Sequence, residues 1–513
     1  MRTLPARLGV LATAVGLVLA AGPVAAGPAT ATDPGLPPIP AVPGLPIPSL
    51  PTDLLVPRFV GAPAQERPLP HPDVPQNPFL APNGRSSMHN DAYSTDAYDV
   101  SGPLGQRLRL SSRSYGVREC ATIAFDSRGR LVGLCGGLEG FTMMVIDPVT
   151  LAPVDELLVS PRSLASGNNP LTDICGGTYF FLDPHDHAFA TTTAATIAEI
   201  AVAPDGSLTR VRDWALSSYL PEGDCLVATG VDWEGTLWWF SQQGVVGTLD
   251  RGTGQVHALP LPAGEGIFNS VSGDETGGMY AVTTHATYRL DADELGRPRV
   301  TWREPYDRGT RVKPGMLSQG SGTSPTLVGK RWIAIADNAE PRSRVLVYDR
   351  RVGVADRLHC SVAVLPEGAS ATENSLVAAG RSLIIENNHG YDGVDATMLG
   401  RTTAPGIERV LIEDDGCRSA WVNDSVAPSS VPKASHGNGL LYAYTKPARS
   451  DLIDAWYVTA IDIRTGRTVW SRLTGTGIQW NNHYASIYLG PDGTLYVATV
   501  AGLVRLADAE VAG

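Results

Sequence analysis

Two short runs of the 513-residue sequence place side-chain amides beside a histidine. Residues 386–390 read ENNHG, and residues 480–483 read WNNH. Amides bond hydroxyl groups both as donors and as acceptors, and an indole stacks on an apolar ring face. The runs predict a site for a small polar molecule or a glycan, built from Asn387, Asn388, Trp480 and Asn482. Burial of Trp480 in the core is the alternative for that residue.

Four acidic residues carry the oxygen ligands that a hard cation such as calcium prefers: Glu119, Asp173, Asp224 and Glu373. If they lie close together, mutual repulsion raises the pKa of one carboxyl group, which then acts as a general acid. His285, His389 and His483 are candidate bases, because imidazole titrates near neutral pH. The candidate catalytic residues are therefore Glu119, Asp224, Glu373, His389 and His483. Their spacing alone does not specify a metal site.

The elements that must position these residues are short β-type runs joined by tight turns. Residues 484–490 and 494–500 flank Asp492-Gly493, and residues 456–462 and 468–473 flank Thr465-Gly466. Apolar and small residues alternate in each run, as in antiparallel hairpins. Fainter copies extend back to about Glu119 without a convincing helix. This recurrence predicts an all-β protein, a β-propeller of eight four-stranded blades, with seven as the alternative.

Ring closure needs one more strand, because the last blade lacks its outermost member. We expect a segment between about Asp96 and Leu110 to supply this strand and to cover the open sheet edge.

Propeller geometry gathers particular positions at one face of the ring. The starts of the innermost strands and the loops between the second and third strands open there. The further candidates for ligand binding at this channel mouth are Asp173, Asn269, His285, Thr323, Asp337, Asn338, Asn374 and Lys433. Asn and Asp also cap turns, and loops are polar in general, so turn chemistry and channel solvation are the alternative.

One segment carries a recognisable repeat. Residues 459–470 (TAIDIRTGRTVW) match the pattern A-x-D-x-x-T-G-x-x-x-W, Asp250 with Thr253-Gly254 is a partial copy, and residues 322–329 (GTSPTLVG) have the form of a blade start. In these motifs the chain resembles the PQQ-like (quinoprotein-type) β-propeller superfamily, as an exported member. The resemblance implies that Trp470 packs between adjacent sheets and that Thr465-Gly466 forms a turn. It also implies an oxidoreductase with PQQ and calcium as cofactors. The adjacent cysteines of quinoprotein alcohol dehydrogenases are absent here.

The N-terminus has the pattern of an exported protein. Residues 1–26 combine Arg2 and Arg7 with an apolar run and a small-residue cleavage site, which predicts a signal peptide. Residues 27–82 are rich in proline and are expected to form a disordered linker. Residues 83–513 then form the propeller as a single domain. We expect a secreted monomer without a later membrane-spanning segment.

The six cysteines fit an oxidising compartment. Proximity and blade position favour the disulfides Cys120–Cys135, Cys175–Cys225 and Cys360–Cys417, although sequence alone does not fix the connectivity. The formal net charge of −12 argues against nucleic acid and anionic membranes as partners.

Two further motifs are assigned lesser roles. Asp183, His185, Asp186 and His187 resemble a metal cluster, but they lie in an inner hairpin turn and are expected at the face opposite the mouth. Residues 89–91 (HND) precede the first strand and are interpreted as a structural closure, with a lid over the mouth as the alternative. The sequence has no nucleophile elbow, phosphate-binding Gly loop or HExxH motif.

The leading prediction is an exported propeller that binds a small polar ligand, with or without a cation, at the channel mouth. An oxidoreductase activity follows only from the PQQ-like resemblance. A carbohydrate-active hydrolase or lyase that uses the ring carboxylates is the second hypothesis. A non-catalytic extracellular scaffold that binds through its rim is the third.

Overall fold

Eight four-stranded antiparallel blades surround a central channel in a computed structural model, which describes residues 41–71, 74–162 and 173–509. These residues belong to one compact unit, Ile39–Gly513. The structure confirms the predicted all-β fold and the count of eight blades. The predicted signal peptide, residues 1–26, lies outside the described residues.

In each blade the strands are ordered from the channel outward. Blade one contains Arg118–Phe125, Leu131–Gly137, Gly140–Ile146 and Pro153–Pro161. Blade two contains Phe180–Leu182, His187–Thr191, Thr196–Val202 and Leu208–Ala215. Blade three contains Leu226–Val231, Leu237–Ser241, Val245–Leu249 and Val256–Pro260. Blade four contains Ser272–Gly273, Met279–Val282, Ala286–Ala292 and Pro298–Pro305.

The second half of the ring repeats this order. Blade five contains Thr326–Val328, Trp332–Ala336, Arg344–Asp349 and Leu358–Ala363. Blade six contains Val377–Ala379, Ser382–Glu386, Ile407–Glu413 and Gly416–Asn423. Blade seven contains Lys433–Ser435, Leu440–Thr445, Ala455–Asp462 and Thr468–Thr476. Blade eight contains Ile487–Leu489, Leu495–Thr499, Gly502–Asp508 and, outermost, Leu108–Ser114.

Helical structure is minor. The described residues include four short 3-10 helices, at Pro51–Leu54, Ser217–Tyr219, Val394–Thr397 and Ile478–Trp480. No helix in the ranges given above is long and apolar enough to cross a membrane.

An N-terminal strand closes the ring as predicted, but at Leu108–Ser114, so only the end of the predicted segment, residues 108–110, belongs to it. It pairs antiparallel with Gly502–Asp508 and covers the outer edge of blade eight. A strand from the proline-rich stretch, Phe59–Gly61, pairs in the same way with Thr468–Thr476 of blade seven. Both N-terminal strands therefore satisfy backbone groups that an open sheet edge would leave exposed.

Acidic residues shape the hairpin turns. The side-chain oxygen of Asp126 accepts hydrogen bonds from the backbone N–H groups of Arg128 and Arg130, and Asp232 does the same for Glu234 and Thr236. Asp462 caps the Thr465 turn of the repeat in the same manner. These side chains mimic a backbone turn and fix each reversal locally, which is why the blade pattern is legible in the sequence.

The core is divided among the blade interfaces. Each neighbouring pair of blades encloses its own cluster of buried apolar side chains, so the ring has eight such clusters. Trp470 is fully buried in the cluster between blades seven and eight, together with Tyr442, Leu489 and Val497. A single blade cannot bury both faces, so these clusters hold neighbouring blades together.

Three disulfides join the pairs predicted from the sequence. Cys120–Cys135 lies within blade one, and Cys175–Cys225 joins the segments that precede the inner strands of blades two and three. Cys360–Cys417 links the outermost strands of blades five and six.

The channel is filled by the chain itself. We call residues 85–98 the plug. Its backbone carbonyls accept hydrogen bonds from backbone N–H groups in inner strands or at their ends. The pairs, with the plug carbonyl first, are Arg85 with Phe125, Ser86 with Leu182, Ala92 with Gly273, Tyr93 with Leu327, Thr95 with Ala378, and Asp96 with Ala434. Ala97–Tyr98 also pairs in parallel with Ala434–Ser435. The plug thus contacts six blades. The plug therefore closes the channel from inside. The strand that covers the edge of blade eight begins after the plug, at Leu108.

Candidate functional site

A cavity of about 200 Å³ opens at the channel mouth, above the plug. Residues at or just before the starts of inner strands form most of its wall, in blades one, two, four, five, six, seven and eight. Loops between the second and third strands of blades one and eight form the rest. Most of the wall is apolar, including Val117, Leu138, Phe141, Phe268 and Leu317. The plug contributes Met88 and His89. This mouth cavity favours a ligand with a substantial apolar surface.

Burial favours the neutral form of two glutamates on the wall. Burial raises the pKa of Glu119 well above its usual value, and its Oε1 atom has no hydrogen-bond partner among the described residues. Burial raises the pKa of Glu373 to about 8, although its Oε1 accepts a hydrogen bond of 2.6 Å from the Leu317 backbone. Repulsion between carboxylates, the predicted cause, is not the main one; removal from water disfavours the charged form of each.

A histidine at the base of the mouth cavity is oriented by a buried carboxylate. Nδ1 of His89 lies 3.1 Å from both carboxylate oxygens of Asp96. Its other ring nitrogen, Nε2, is buried and has no partner among the described residues. A carboxylate that accepts a hydrogen bond from Nδ1–H leaves Nε2 with a lone pair. His89 therefore has the arrangement of a general base.

Ser375 completes this group without forming a nucleophilic triad. Its hydroxyl donates a short hydrogen bond to Asp96 Oδ2 and lies 3.3 Å from Nδ1 of His89. A triad requires the hydroxyl at Nε2, on the opposite side of the ring from the carboxylate. Ser375 is thus a positioning residue.

Lys433 supplies the balancing charge. Its ammonium group makes a short ion pair with Asp96 and donates a hydrogen bond of 2.6 Å to the Met88 carbonyl. Burial alone would raise the pKa of Asp96, but the positive charge of Lys433 and the hydrogen bonds from Lys433 and His89 lower it. Burial lowers the pKa of Lys433, and Asp96 opposes that effect. The pair is fully buried and fixes the plug to the inner strand of blade seven.

Backbone strain occurs on the same wall. His483 and Tyr484 are consecutive residues with φ of 36° and 64°, in the left-handed region that side chains with a Cβ avoid. Nδ1 of His483 lies 3.1 Å from the Tyr391 hydroxyl, and the Tyr484 hydroxyl donates to the Gly315 carbonyl. Such strain costs about 1–3 kcal/mol per residue and clusters at functional sites.

Five of the predicted site residues line the mouth cavity together: Glu119, Asp173, Glu373, Asn374 and His483. Asp173 lies 3.6 Å from the guanidinium of Arg162 and caps the Cys175 backbone N–H. Asn374 donates a short hydrogen bond to Glu386. The starts of inner strands therefore bring these five residues to one cavity wall.

Twelve other predicted residues do not line this cavity. They are Asp224, Asn269, His285, Thr323, Asp337, Asn338, Asn387, Asn388, His389, Lys433, Trp480 and Asn482.

Seven of these twelve use their side chains to hydrogen-bond backbone groups instead. Asp224 accepts from the N–H groups of Cys225 and Gln243, and Asp337 accepts from those of Ala339 and Arg344. The same use of side chains for backbone groups holds for Asn338, Asn387, Asn388, Asn482 and Thr323. These contacts are the turn chemistry considered as the alternative.

The other five have separate environments. Lys433 pairs with Asp96, His285 contacts the Thr284 hydroxyl, and His389 lines a separate cavity with Arg311 and Glu340. Asn269 is buried with its amide atoms unpartnered in the described part of the chain. Trp480 is core: it is 1% exposed and packs in the cluster between blades seven and eight. The predicted stack of Trp480 on a ligand ring is therefore wrong.

The cofactors implied by the PQQ-like resemblance do not fit this cavity. Asp224 lies outside the cavity and Asp173 is paired with Arg162, so the four carboxylates do not converge as a calcium site. The described wall includes no Lys or Arg to neutralise the carboxylates of a quinone such as PQQ.

The sequence prediction missed the central part of the site. The sequence pattern indicates a structural closure for His89 and the start of the edge-strand segment for Asp96, and it gives no signal for Ser375. Their proximity depends on the plug crossing the channel, since Asp96 and Ser375 are 279 residues apart. The one local signal was the density of His and Asp in residues 89–99.

No protein-family model matches the chain. An uncharacterised protein of Archaeoglobus fulgidus is 27% identical over 328 residues, which cover 57% of this chain and 63% of that protein. The chain thus matches somewhat less than two thirds of the relative's length.

Similar solved structures have low sequence identity. The selenomethionine-substituted virginiamycin B lyase from Staphylococcus aureus has a TM-score of 0.41 and 10% identity, covering 78% of this chain and 99% of the lyase. A functionally unknown protein from Desulfotomaculum acetoxidans has a TM-score of 0.40 and 9% identity, covering 66% of this chain and 95% of that protein. At these values no activity is transferred to this chain.

Proposed function

We propose that the protein is an exported enzyme that performs general acid–base chemistry on a small, mostly apolar substrate in the mouth cavity. The proposal rests on one observation: His89, oriented by Asp96, shares a cavity wall with glutamates whose pKa is raised. A base with a free lone pair and an acid with a retained proton are the two groups that a proton-transfer reaction needs. Three disulfides support export.

Elimination is the reaction class that uses both groups directly. Nε2 of His89 takes a proton from a carbon next to a carbonyl group, and the bond from the neighbouring carbon to the leaving group breaks as a C=C bond forms. Glu119, whose Oε1 is unpartnered in the described part of the chain, gives its proton to the leaving group. The proton on His89 then returns to Glu119 through water. The step needs neither an oxidant nor a nucleophile, and it corresponds to the lyase hypothesis.

The direct test uses β-acyloxy ketones of increasing apolar size as probes in water enriched in oxygen-18. Elimination gives the unsaturated ketone, followed by its ultraviolet absorbance, and a carboxylic acid without label. Hydrolysis by a His89-activated water gives a β-hydroxy ketone and puts one labelled oxygen into the acid. We expect the elimination products; labelled acid would replace the lyase hypothesis with the hydrolase hypothesis.

Variants connect the activity to the proposed residues. His89→Gln and Glu119→Gln should each lower kcat about 100- to 10,000-fold, the usual contribution of one acid or base. His389→Gln is the matched control, because His389 lies on a different cavity. Equal turnover by all of the variants would exclude this site. Dye-linked oxidation only after addition of PQQ and calcium would instead support the oxidoreductase hypothesis.

A further inference from the structure

A second cavity, of about 150 Å³, lies on the other side of the plug. Its wall includes Asp91, Tyr98, Asp99, His71, His436 and Pro491, and it is separate from the mouth cavity. His436 follows the inner strand of blade seven, and Pro491 follows the inner strand of blade eight. This lower cavity is therefore formed where inner strands end.

Two imidazoles and one carboxylate converge in the lower cavity. Nδ1 of His71 lies 2.9 Å from Oδ1 of Asp99, and Nδ1 of His436 lies 3.7 Å from the same oxygen. One ligand atom from each of the three residues lies within 4.8 Å of the others. Ligand atoms around a tetrahedral zinc ion with bonds of about 2.0–2.1 Å are separated by about 3.3 Å. The two measured nitrogen-to-oxygen distances, 2.9 Å and 3.7 Å, lie on either side of that value.

His436 provides the observation that points to a ligand. The side chain is 4% exposed, and both of its ring nitrogens are buried without a hydrogen-bond partner among the described residues. A buried imidazole normally satisfies at least one nitrogen, because an unmade hydrogen bond costs about 1–3 kcal/mol. A metal ion beside Nδ1 would supply the missing partner.

The backbone brings the three residues together by pairing, so their proximity is not an accident of side-chain rotamers. Tyr98 pairs in parallel with Ser435, which places Asp99 next to His436. The Leu69 N–H donates a hydrogen bond of 2.8 Å to the His436 carbonyl. This bond brings His71, two residues after Leu69, close to His436. Three separate segments thus deliver one ligand each.

We propose that His71, Asp99 and His436 form a binding site for a divalent transition-metal ion of the zinc type. Two imidazoles and a carboxylate select such a metal over calcium or magnesium, which prefer oxygen ligands. The ion ties the proline-rich segment that contains His71 to Asp99, immediately after the plug, and to blade seven. The other His-containing group of this kind in the described residues, His359 with Cys360 and Cys417, has no thiolate, because its sulfurs form a disulfide.

The site is tested by titrating the EDTA-treated full chain with Zn²⁺ alone and, separately, with Co²⁺ alone. We expect one equivalent of zinc to bind, and visible cobalt absorption typical of low coordination number. Zinc at 100 times its Kd should raise the Tm by about 3 °C, since that excess is worth about 2.7 kcal/mol and a chain of this size has a large unfolding entropy.

Variants distinguish this site from adventitious binding. Asp99→Asn and His71→Asn change partly exposed side chains, and His436→Asn removes the buried ligand; each should abolish the stoichiometric zinc binding and the cobalt spectrum. His187→Asn is the control, because His187 belongs to a distant pair with Glu199 at 2.7 Å, and it should bind zinc as the wild type does. Absence of zinc binding by the wild type would overturn the proposal. Unchanged binding by Asp99→Asn and His71→Asn that retain native circular dichroism would also overturn it.

Discussion

Nδ1 of His89 is equidistant, at 3.1 Å, from the two carboxylate oxygens of Asp96, and both residues belong to the segment that fills the channel. Asp96 also accepts short hydrogen bonds from Lys433 and Ser375, so one carboxylate connects the plug with blades six and seven. Asp96 itself has φ of 56°, a conformation that Asp tolerates better than most residues. The same residue therefore holds the candidate base and secures the plug.

Replacing Asp96 by Asn should destabilise the protein by about 3–5 kcal/mol, because the buried Lys433 ammonium loses its counter-charge. Urea unfolding measures the change. Asp414→Asn is the control: Asp414 pairs with Arg381 at 2.8 Å but is 93% exposed, and its loss should have little effect. The double variant with Lys433→Met removes both charges and should regain part of the stability. No recovery in the double variant would show that Lys433 is not the cause.

The blade pattern was predictable because its determinants are local. Asp126 and Asp232 bind backbone N–H groups two to four residues away, so each turn is encoded within its own hairpin. The cysteine pairs followed from the same blade positions. The closing strand was expected because a ring cannot leave an unpaired edge, and it occurs at Leu108–Ser114.

The candidate site was predictable only in part, because its determinants are distant in sequence. Glu119 and Glu373 were found from their positions at the starts of inner strands. His89 could not be assigned to the cavity, because the path of the plug is fixed by hydrogen bonds to six blades. Asn387 and Asn388 were misleading for the opposite reason: an amide that satisfies loop backbone has the same appearance in a sequence as one that binds a ligand.

The interface between blades seven and eight should depend on Trp470. The indole is fully buried among apolar side chains of both blades, and Phe59 stacks on it with ring centroids 6.3 Å apart. Trp470→Ala should lower the free energy of unfolding by about 3–5 kcal/mol through lost burial and a residual cavity. Val422→Ala, at a side chain that is 56% exposed, is the control for thermal unfolding. Similar effects of the two substitutions would contradict the interface role.

The Cys360–Cys417 disulfide should stabilise the contact between the outer strands of blades five and six. It closes a loop of 57 residues, for which the loss of chain entropy in the unfolded state is worth about 4 kcal/mol. The double variant Cys360→Ala with Cys417→Ala should lose stability of that order in chemical denaturation. Leu358→Ala, on the same strand and 52% exposed, should change it little. A double variant as stable as the wild type would argue against a covalent contribution here.

Glu386 should make the stability of the protein depend on pH. Burial raises the pKa of Glu386 to about 8, although Asn374 and Asn388 both donate hydrogen bonds to its Oε1. In the unfolded chain the same carboxyl group loses its proton near pH 4.3. Between these two values the folded state binds one proton more than the unfolded state, so the free energy of unfolding falls as pH rises, by at most about 1.4 kcal/mol per pH unit.

Glu386→Gln removes this proton while keeping the shape of the neutral acid, since the amide oxygen can accept the same two hydrogen bonds. The variant should therefore gain stability relative to the wild type as pH rises from about 5 to 8, and the difference should level off above the folded pKa. Urea unfolding at several pH values measures the difference, with Glu222→Gln, at an exposed loop position, as the control. A difference that stays constant across this range would mean that the Glu386 carboxyl group is ionised in the folded protein.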